Sequence, residues 1–243
     1  MRSNYRTISV IHVLDKIFEK MLHSRLVSYF NSNHLLNENQ FGFCKGRDTQ
    51  QAVLKLLDCI LPVFNDSTYC ICVFADFSKA FDTVNHDLLL EKLNTYAVRG
   101  IAHQLVTSFL TDRFQYVSCN NVQSSNVIVD VSVLQGSCLG PFLYNVYTND
   151  MFKIFDESNC ECIMYEDDIN IVGRDCDLDA LCFCLNIYLL KFTDWCKYNK
   201  LKLNPLKTKW MLFSPKIIHH YPKVLVNNVT IERVIELKYL GLF

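Results

Sequence analysis

The segment Cys162-Ile-Met-Tyr-Glu-Asp-Asp-Ile-Asn-Ile-Val172 places a cluster of carboxylates between two apolar runs. This arrangement is typical of a β-hairpin with its charges at the tip. Asp167 and Asp168 are adjacent there, and two neighbouring anions within an apolar pattern repel each other and are costly to bury. A divalent cation relieves that conflict, so the segment predicts a metal-binding hairpin.

A further carboxylate lies near the end of the predicted strand Tyr69-Cys-Ile-Cys-Val-Phe-Ala-Asp-Phe77, which is β-branched and aromatic without a helical period. An isolated strand-end aspartate such as Asp76 usually caps a turn or a helix. Together with the hairpin pair, however, it provides the ligand type of a two-metal site, in which ions about 4 Å apart clamp the oxygens of a phosphoryl transfer. Spacing alone leaves any phosphoryl-transfer enzyme, or a calcium site, open.

Hydrophobic periodicity predicts the remaining elements. Helices are predicted near residues 14–30, 49–61, 86–96, 101–111 and 178–198, with a long helix after Gln135. Strands are predicted at 115–119, 127–133 and 201–213, and a hairpin turn at Asn227-Asn228. Because strands and helices mix without regular βαβ alternation, the pattern favours an α+β fold over a doubly wound parallel sheet.

The composition is that of a globular protein. Of 243 residues, 50% are hydrophobic and no stretch reads as a linker, so one large domain or two closely joined ones are expected. The net charge of −1 provides no general basic field for a polyanion, which weighs mildly against nucleic-acid binding. No apolar run approaches the roughly 18 residues of a membrane span, so no membrane partner is expected.

Twelve cysteines occur without a secretory signal pattern. A reducing compartment, the nucleus or the cytoplasm, is therefore expected. The pairs at 70/72, 160/162 and 182/184 lack the usual spacing of tetrahedral zinc ligands, and these residues are expected to behave as small buried hydrophobes.

Seven short stretches along the chain belong together. They are Tyr5-Arg-Thr-Ile-Ser9, Asn39-Gln-Phe-Gly-Phe-Cys-Lys-Gly-Arg47, Val73-Phe-Ala-Asp-Phe-Ser-Lys-Ala-Phe-Asp-Thr-Val-Asn-His-Asp-Leu-Leu89, Leu134-Gln-Gly-Ser-Cys-Leu-Gly-Pro141, Tyr165-Glu-Asp-Asp168, Asn204-Pro-Leu-Lys-Thr208 and Lys238-Tyr-Leu-Gly241. In this order they resemble the motifs of reverse transcriptases from non-LTR, LINE-type retrotransposons, and the Jockey and CR1-like groups most of all. Any single stretch is a weak signal, whereas the ordered set identifies the family.

The resemblance implies a right-hand polymerase fold whose antiparallel palm sheet is backed by helices on one face. Residues 1–68 are then fingers, 69–215 are palm with a fingers insertion at about 88–128, and 216–243 are a motif E hairpin leading to a thumb that is missing from this chain. The implied activity is RNA-directed DNA synthesis, in which a dNTP extends a primer 3′-hydroxyl. An RNA template with a DNA primer is the implied partner, and two Mg²⁺ ions are the implied cofactors.

Carried over residue by residue, the resemblance implies that Asp76, Asp167 and Asp168 hold the two magnesium ions. Lys207 is implied to donate a proton to the leaving pyrophosphate. For Lys207, as for the other basic residues assigned below, a solvated surface charge is the alternative interpretation.

The resemblance also implies a set of nucleotide-binding residues. They are Lys45, Arg47, Phe81, Gln135, Gly136 and Ser137. Phe81 is implied to lie under the sugar of the incoming nucleotide and to reject a 2′-hydroxyl, although its alternative is a plain core aromatic. Gly136 and its neighbours are implied to open a helix against the templating pair, where small residues let the backbone approach the nucleic acid.

The chain departs from the family pattern at five positions. Glu166 stands where Ala or another small or apolar residue is usual, and a carboxylate beside the Asp pair adds repulsion of about 1 kcal/mol at 4 Å in water. Leu134 replaces a proline, Ser132 a glycine, Cys44 an arginine and Thr7 a proline. These departures favour an alternative function, that of a catalytically inactive, truncated remnant that keeps the fold and at most binds nucleic acid. A maturase or an RNA-making polymerase is a third alternative, which the aromatic at position 81 disfavours.

Overall fold

The structure, a computed structural model, describes residues 9–119, 122–155 and 159–241. Its helices are α1 (Val13–Ser32), α2 (Thr49–Ile60), α3 (Pro62–Asp66), α4 (His86–Thr95), α5 (Gly100–Leu110), α6 (Leu139–Thr148) and α7 (Leu178–Tyr198). Its strands are β1 (Tyr69–Asp76), β2 (Phe114–Gln115), β3 (Ser118–Cys119), β4 (Val122–Gln123), β5 (Val127–Ile128), β6 (Cys160–Tyr165), β7 (Asp168–Asp175), β8 (Lys209–Phe213), β9 (Leu225–Val226), β10 (Val229–Thr230) and β11 (Glu232–Arg233). The mixture of helices and sheet agrees with the predicted fold class.

The described residues divide into two compact units. The first contains residues 9–36 and 79–148, and the second contains residues 37–78 and the described residues from 149 to 241. The predicted boundaries between fingers and palm fall elsewhere along the chain, and that assignment stays a prediction.

A five-stranded sheet forms the centre of the second unit, with the strand order β11-β8-β1-β7-β6. The buried, β-branched strand β1 is antiparallel to both of its neighbours, β7 and β8. The strands β8, β1, β7 and β6, all within residues 69–215, form the antiparallel sheet that was predicted, and β11 is added at one edge parallel to β8. The β9–β10 hairpin lies between those two strands along the chain.

Helices cover both faces of this sheet, and the prediction of helices on one face is wrong. Side chains alternate between the two faces along each strand. Cys72 and Val172 pack with residues of α2 and α3 on one face. The neighbouring position, Gly173, faces Leu181 and Leu185 of α7 on the other. The packing at this position is tight, because an added Cβ would lie 3.0 Å from the Leu181 side chain, which would then have to shift.

Turns shorten several of the predicted elements. Of the predicted strand 201–213, Lys209–Phe213 is a strand, because the amides of Lys207 and Thr208 both donate to the Asn204 carbonyl and form a turn. The predicted strands 115–119 and 127–133 are reduced to the two-residue strands β2, β3 and β5. The helix expected after Gln135 starts at Leu139 and has ten residues.

The predicted Asn227-Asn228 hairpin is confirmed. The two residues join β9 to β10 with φ of 51° and 61°. Positive φ at both positions is the geometry of a type I′ turn, which asparagine tolerates. Here local sequence chemistry is enough to specify the structure.

In the first unit, α1 packs against α6 through its C-terminal half. Phe30 of α1 contacts Phe142 edge to face, with ring centroids 5.1 Å apart. The regularly spaced apolar residues of the helix predicted at 14–30 are buried from Leu22 onward, but those nearer the start of α1, such as Leu14 and Ile17, are exposed. Glu19 is buried instead, with 1% of its surface exposed.

The cysteine pairs are largely buried, as predicted. Cys70, Cys72, Cys160, Cys162 and Cys182 are all less than 9% exposed. Burial raises the pKa of the Cys160 thiol to about 12, which keeps it protonated and unreactive at neutral pH. In the described ranges, no helix is both long and apolar enough to cross a membrane.

Candidate active site

A two-residue turn forms the tip of the β6–β7 hairpin. Tyr165 pairs with Asp168, which leaves Glu166 and Asp167 as the turn residues. Glu166 has a φ of 57°, a left-handed conformation that costs a non-glycine residue about 1 kcal/mol. Gly42 allows the neighbouring loop to approach the tip closely, because a Cβ there would lie 2.1 Å from the Glu166 amide nitrogen.

Asp76 and Asp168 are direct partners across β1 and β7. Residues that oppose each other across a strand pair point to the same face with their Cβ atoms about 5 Å apart, and like charges in that position repel. The pKa of Asp168 is raised, first by the protein atoms that displace water around it and then by Asp167 and Asp76. The site therefore concentrates negative charge at one end of the sheet.

Lys207 forms an ion pair with one member of this pair, Asp76. The Asn204 amide donates to the Asp76 carbonyl at 2.9 Å, which fixes the turn bearing Lys207 to the end of β1. Lys207 Nζ lies 3.3 Å from Asp76 Oδ2, and its side chain is 67% exposed. Asp76 Oδ2 is shielded from solvent and accepts no regular hydrogen bond from the described residues. This oxygen therefore retains capacity for a further ligand.

These three side chains line one cavity of about 210 Å³. Asn170 and Tyr239 also line it, and both were missed as site residues by the sequence reasoning. Asn170 is fully buried on β7, two residues beyond Asp168 on the same face. Burial, with Asp168 as a further cause, raises the pKa of Tyr239 and keeps its hydroxyl protonated. Asn170 could have been identified from the sequence as an asparagine within an otherwise apolar strand.

The donor set fits a magnesium ion at two of the three predicted ligands. Asp76 and Asp168 converge, and Asp76 retains an oxygen without a regular hydrogen bond. Magnesium takes one or two protein carboxylates and completes its coordination with water and substrate phosphates. Within the described ranges, no three His, Cys, Asp or Glu side chains are grouped as a metal site. The role of Asp167, in the turn, stays a prediction.

Of the two predicted basic contacts upstream, Arg47 has a structural role. Its Nη1 donates to the carbonyls of Asn37, Glu38 and Gln40, at 3.0, 2.9 and 2.6 Å. Arg47 thus ties its own loop together, and its implied nucleotide contact stays a prediction. Lys45 is exposed on the same loop. Its exposure is compatible with the implied nucleotide contact and with a solvated surface charge.

In the first unit, Gln135, Gly136 and Ser137 form the turn that opens α6. Ser137 Oγ accepts hydrogen bonds from the amides of Leu139 and Gly140, at 3.0 and 3.1 Å, and so caps the helix. Gly136 has a φ of 100°, which glycine adopts without strain. Gln135 Nε2 donates to Asp82 Oδ1 at 2.9 Å.

Phe81 lies in a 3-10 helix over Ala80–Thr83 and stacks on Tyr144 of α6. The ring centroids are 4.6 Å apart and the planes differ by 28°. The Phe81 side chain is half-buried, so packing accounts for one part of its surface and leaves another exposed. This placement is compatible with both the sugar-selecting role and the core role.

The departures from the family pattern have local consequences. Ser132 has a φ of 99°, which explains why glycine suits this position. The Leu134 carbonyl lies 2.8 Å from where a Cβ on Gly140 would stand, so the turn entering α6 is tightly packed. The backbone carbonyl of Cys44 accepts a hydrogen bond from the Arg47 amide. Any residue at position 44 could make this backbone contact. Thr7 lies outside the described residues.

Comparison with known proteins agrees with the motifs. The sequence model of the family "Reverse transcriptase (RNA-dependent DNA polymerase)" matches residues 2–242. The chain belongs to this family. It is 32% identical to the probable RNA-directed DNA polymerase from transposon BS of Drosophila melanogaster, over 98% of this chain and 27% of that protein. The polymerase from mobile element jockey of the same species is 30% identical, over 98% of this chain and 26% of that protein.

These relatives place the chain among the reverse transcriptases of non-LTR retrotransposons. The chain spans about a quarter of the length of the curated relatives it matches. Among solved structures, apo telomerase from Candida tropicalis, truncated from its C-terminal domain, superposes with a TM-score of 0.59 at 13% identity, over 79% of this chain and 40% of that one. Candida albicans telomerase gives 0.56 at 11%, over 89% and 36%. At these identities the likeness concerns the fold alone.

Proposed function

We propose that this chain is an RNA-directed DNA polymerase domain that extends a primer 3′-hydroxyl with dNTPs on an RNA template. The pairing of Asp76 with Asp168, beside Lys207 in one cavity, is the observation that carries this proposal. The family membership and the ordered motifs support it.

In this proposal Asp76 and Asp168 hold magnesium, with Asp167 as a further ligand. Bound magnesium supplies positive charge to the attacking and leaving oxygens of an in-line phosphoryl transfer. The carboxylates lie at the ends of two hydrogen-bonded strands, so the sheet fixes their separation before substrate arrives. Such preorganisation is the protein's main contribution to phosphoryl transfer, which depends on positioning and electrostatics.

Lys207 is proposed to donate a proton to the departing pyrophosphate. Its exposed ammonium group is on a turn attached to β1, and the single ion pair with Asp76 leaves it mobile enough to move toward a phosphate. Phe81 is proposed to exclude the ribose 2′-hydroxyl, with its ring fixed by Tyr144. A Phe81→Ala variant should then accept ribonucleotides that the parent rejects.

Primer extension on poly(rA)/oligo(dT) with dTTP and magnesium tests the function. The expected result is extension by the parent chain and none by the Asp167→Ala/Asp168→Ala double variant. A double variant as active as the parent would refute the assignment of the site.

A second candidate, a remnant that folds without turnover, is favoured by Glu166. Its carboxylate adjoins the Asp pair in a strained turn, where repulsion of incoming phosphates is expected. Glu166→Ala separates the two candidates. If the parent is silent and Glu166→Ala extends the primer, this one carboxylate is the defect. If neither the parent chain nor Glu166→Ala extends the primer, the result supports the inactive remnant.

A further inference from the structure

Glu19 is a buried carboxylate in the middle of α1, in the first unit. It is 1% exposed, and a carboxylate at that depth is destabilising unless hydrogen bonds and opposite charge compensate it. The sequence reasoning assigned no role to this residue. Its partners in the fold account for its burial.

The hydrogen bonds that Glu19 accepts come from the turn that opens α6. Ser137 Oγ donates to Glu19 Oε2 at 2.8 Å, and the Cys138 amide donates to the same oxygen at 3.2 Å. Since Ser137 Oγ also accepts from the Leu139 and Gly140 amides, Glu19 sets the orientation of the hydroxyl that caps the helix. Hydrogen bonds to an ionised acceptor are the stronger kind.

Arg113 provides the opposite charge in the same region. Glu19 and Arg113 both line a cavity of about 330 Å³ in the first unit. The guanidinium nitrogens of Arg113 are buried and have no hydrogen-bond partner within the described residues. Burial lowers the pKa of Arg113, and Glu19 opposes that shift. Each buried charge therefore compensates part of the cost of the other.

We infer that Glu19 is a positioning residue for nucleotide binding, acting through the Gln135–Cys138 turn. Without the carboxylate, Ser137 is free to rotate and the Cys138 amide loses its acceptor, so the turn samples other shapes. This inference rests on the proposed function, because Ser137 and its neighbours are nucleotide contacts only as the family resemblance implies. The turn geometry itself does not depend on that function.

The test compares Glu19→Met, which removes both acceptors at similar volume, with Glu19→Gln, which keeps an acceptor oxygen at the same length. Asp15→Asn is the matched control, because Asp15 lines the same cavity from the same helix but is exposed. Two quantities are measured in each variant. They are the KM and kcat for dTTP in primer extension, and the hydrogen exchange of the Cys138 amide.

For Glu19→Met we expect a KM about tenfold higher with little change in kcat, and Cys138 exchange at least tenfold faster. Glu19→Gln should recover most of both values, and Asp15→Asn should match the parent. A folded Glu19→Met variant with parental KM and parental exchange would overturn the inference. The inference would also be overturned if Glu19→Gln raised the KM and accelerated Cys138 exchange as much as Glu19→Met does. Fold damage, rather than loss of the acceptor oxygen, would then be the cause. If the parent does not extend primers, the proposed function fails, and the exchange of Cys138 alone decides whether Glu19 holds the turn.

Discussion

Asp76 and Asp168 oppose each other across two antiparallel strands, each at the end of its strand and on the same face of the sheet. A cross-strand pair of like charges destabilises a sheet. The fold maintains this arrangement because most of the other residues of β1 and β7 are buried. A bound cation would relieve this repulsion.

Replacing Asp168 with asparagine should stabilise the metal-free protein while abolishing activity. The pKa of Asp168 is raised in the folded state, so the folded protein holds the proton more tightly than the unfolded chain. The stability that this proton provides is complete below the pKa of Asp168 in the unfolded chain. It is lost as the pH rises through the higher pKa of Asp168 in the folded protein. Thermal melts in chelator, from about pH 3 to about pH 8, should show the Tm advantage of Asp168→Asn growing with pH. The effect is modest because solvent reaches the side chain, and a constant Tm difference across pH would contradict this account.

Glycine at two positions of left-handed backbone should stabilise the fold. Ser132 and Glu166 have φ of 99° and 57°, and Ser132→Gly and Glu166→Gly should each raise the free energy of unfolding by about 1 kcal/mol. Urea denaturation measures the change. Ser118→Gly, on strand β3, is the control and should lower stability. Destabilisation by all three would show that the two turns are not strained.

Gly42→Ala should destabilise the second unit by about 1–3 kcal/mol, because the added Cβ collides with the backbone of Glu166 rather than with a flexible side chain. Gly46→Ala is the comparison, since a Cβ there meets no atom within 4 Å, although its φ of +78° adds some strain. The free energy of unfolding in urea should fall more for Gly42→Ala. An equal fall in both variants would contradict the close approach.

Lys207→Met should lower kcat by about 10²-fold or more, with little change in Tm. The exposed ion pair to Asp76 contributes little to stability, so a general-acid role predicts a kinetic effect without a structural one. Lys202→Met, an exposed lysine on the same segment, serves as the control for charge. The general-acid role fails if the two variants lose the same amount of kcat.

The candidate metal ligands could be predicted because their signal is local. Asp76 and the Asp167-Asp168 pair interrupt apolar strands, and charge in such a pattern is recognisable without knowing which strands pair. The Asn227-Asn228 turn was predictable for the same reason, since the required positive φ depends on those two residues.

The supporting residues could not be found this way because their partners are distant in sequence. Glu19 and Ser137 are 118 positions apart, and nothing in the helical pattern of α1 marks Glu19 as buried. Gly42 is needed because of Glu166, and Tyr239 reaches the cavity from the far end of the chain. The apolar residues at the start of α1 show the opposite error, since their periodicity predicted burial that packing does not provide.

The most direct test of the central claim is the rate of primer extension on an RNA template with magnesium, measured for Asp76→Asn, Asp168→Asn and Asp175→Asn. Asp175 lies at the other end of β7 and controls for loss of a carboxylate from the same strand. We expect losses of about 10³-fold or more in the first two variants, because removing a metal ligand removes several kcal/mol of charge stabilisation, and a near-parental rate for Asp175→Asn. Asp76→Asn or Asp168→Asn with a rate close to that of an active parent would contradict the assignment of this carboxylate pair as the catalytic centre.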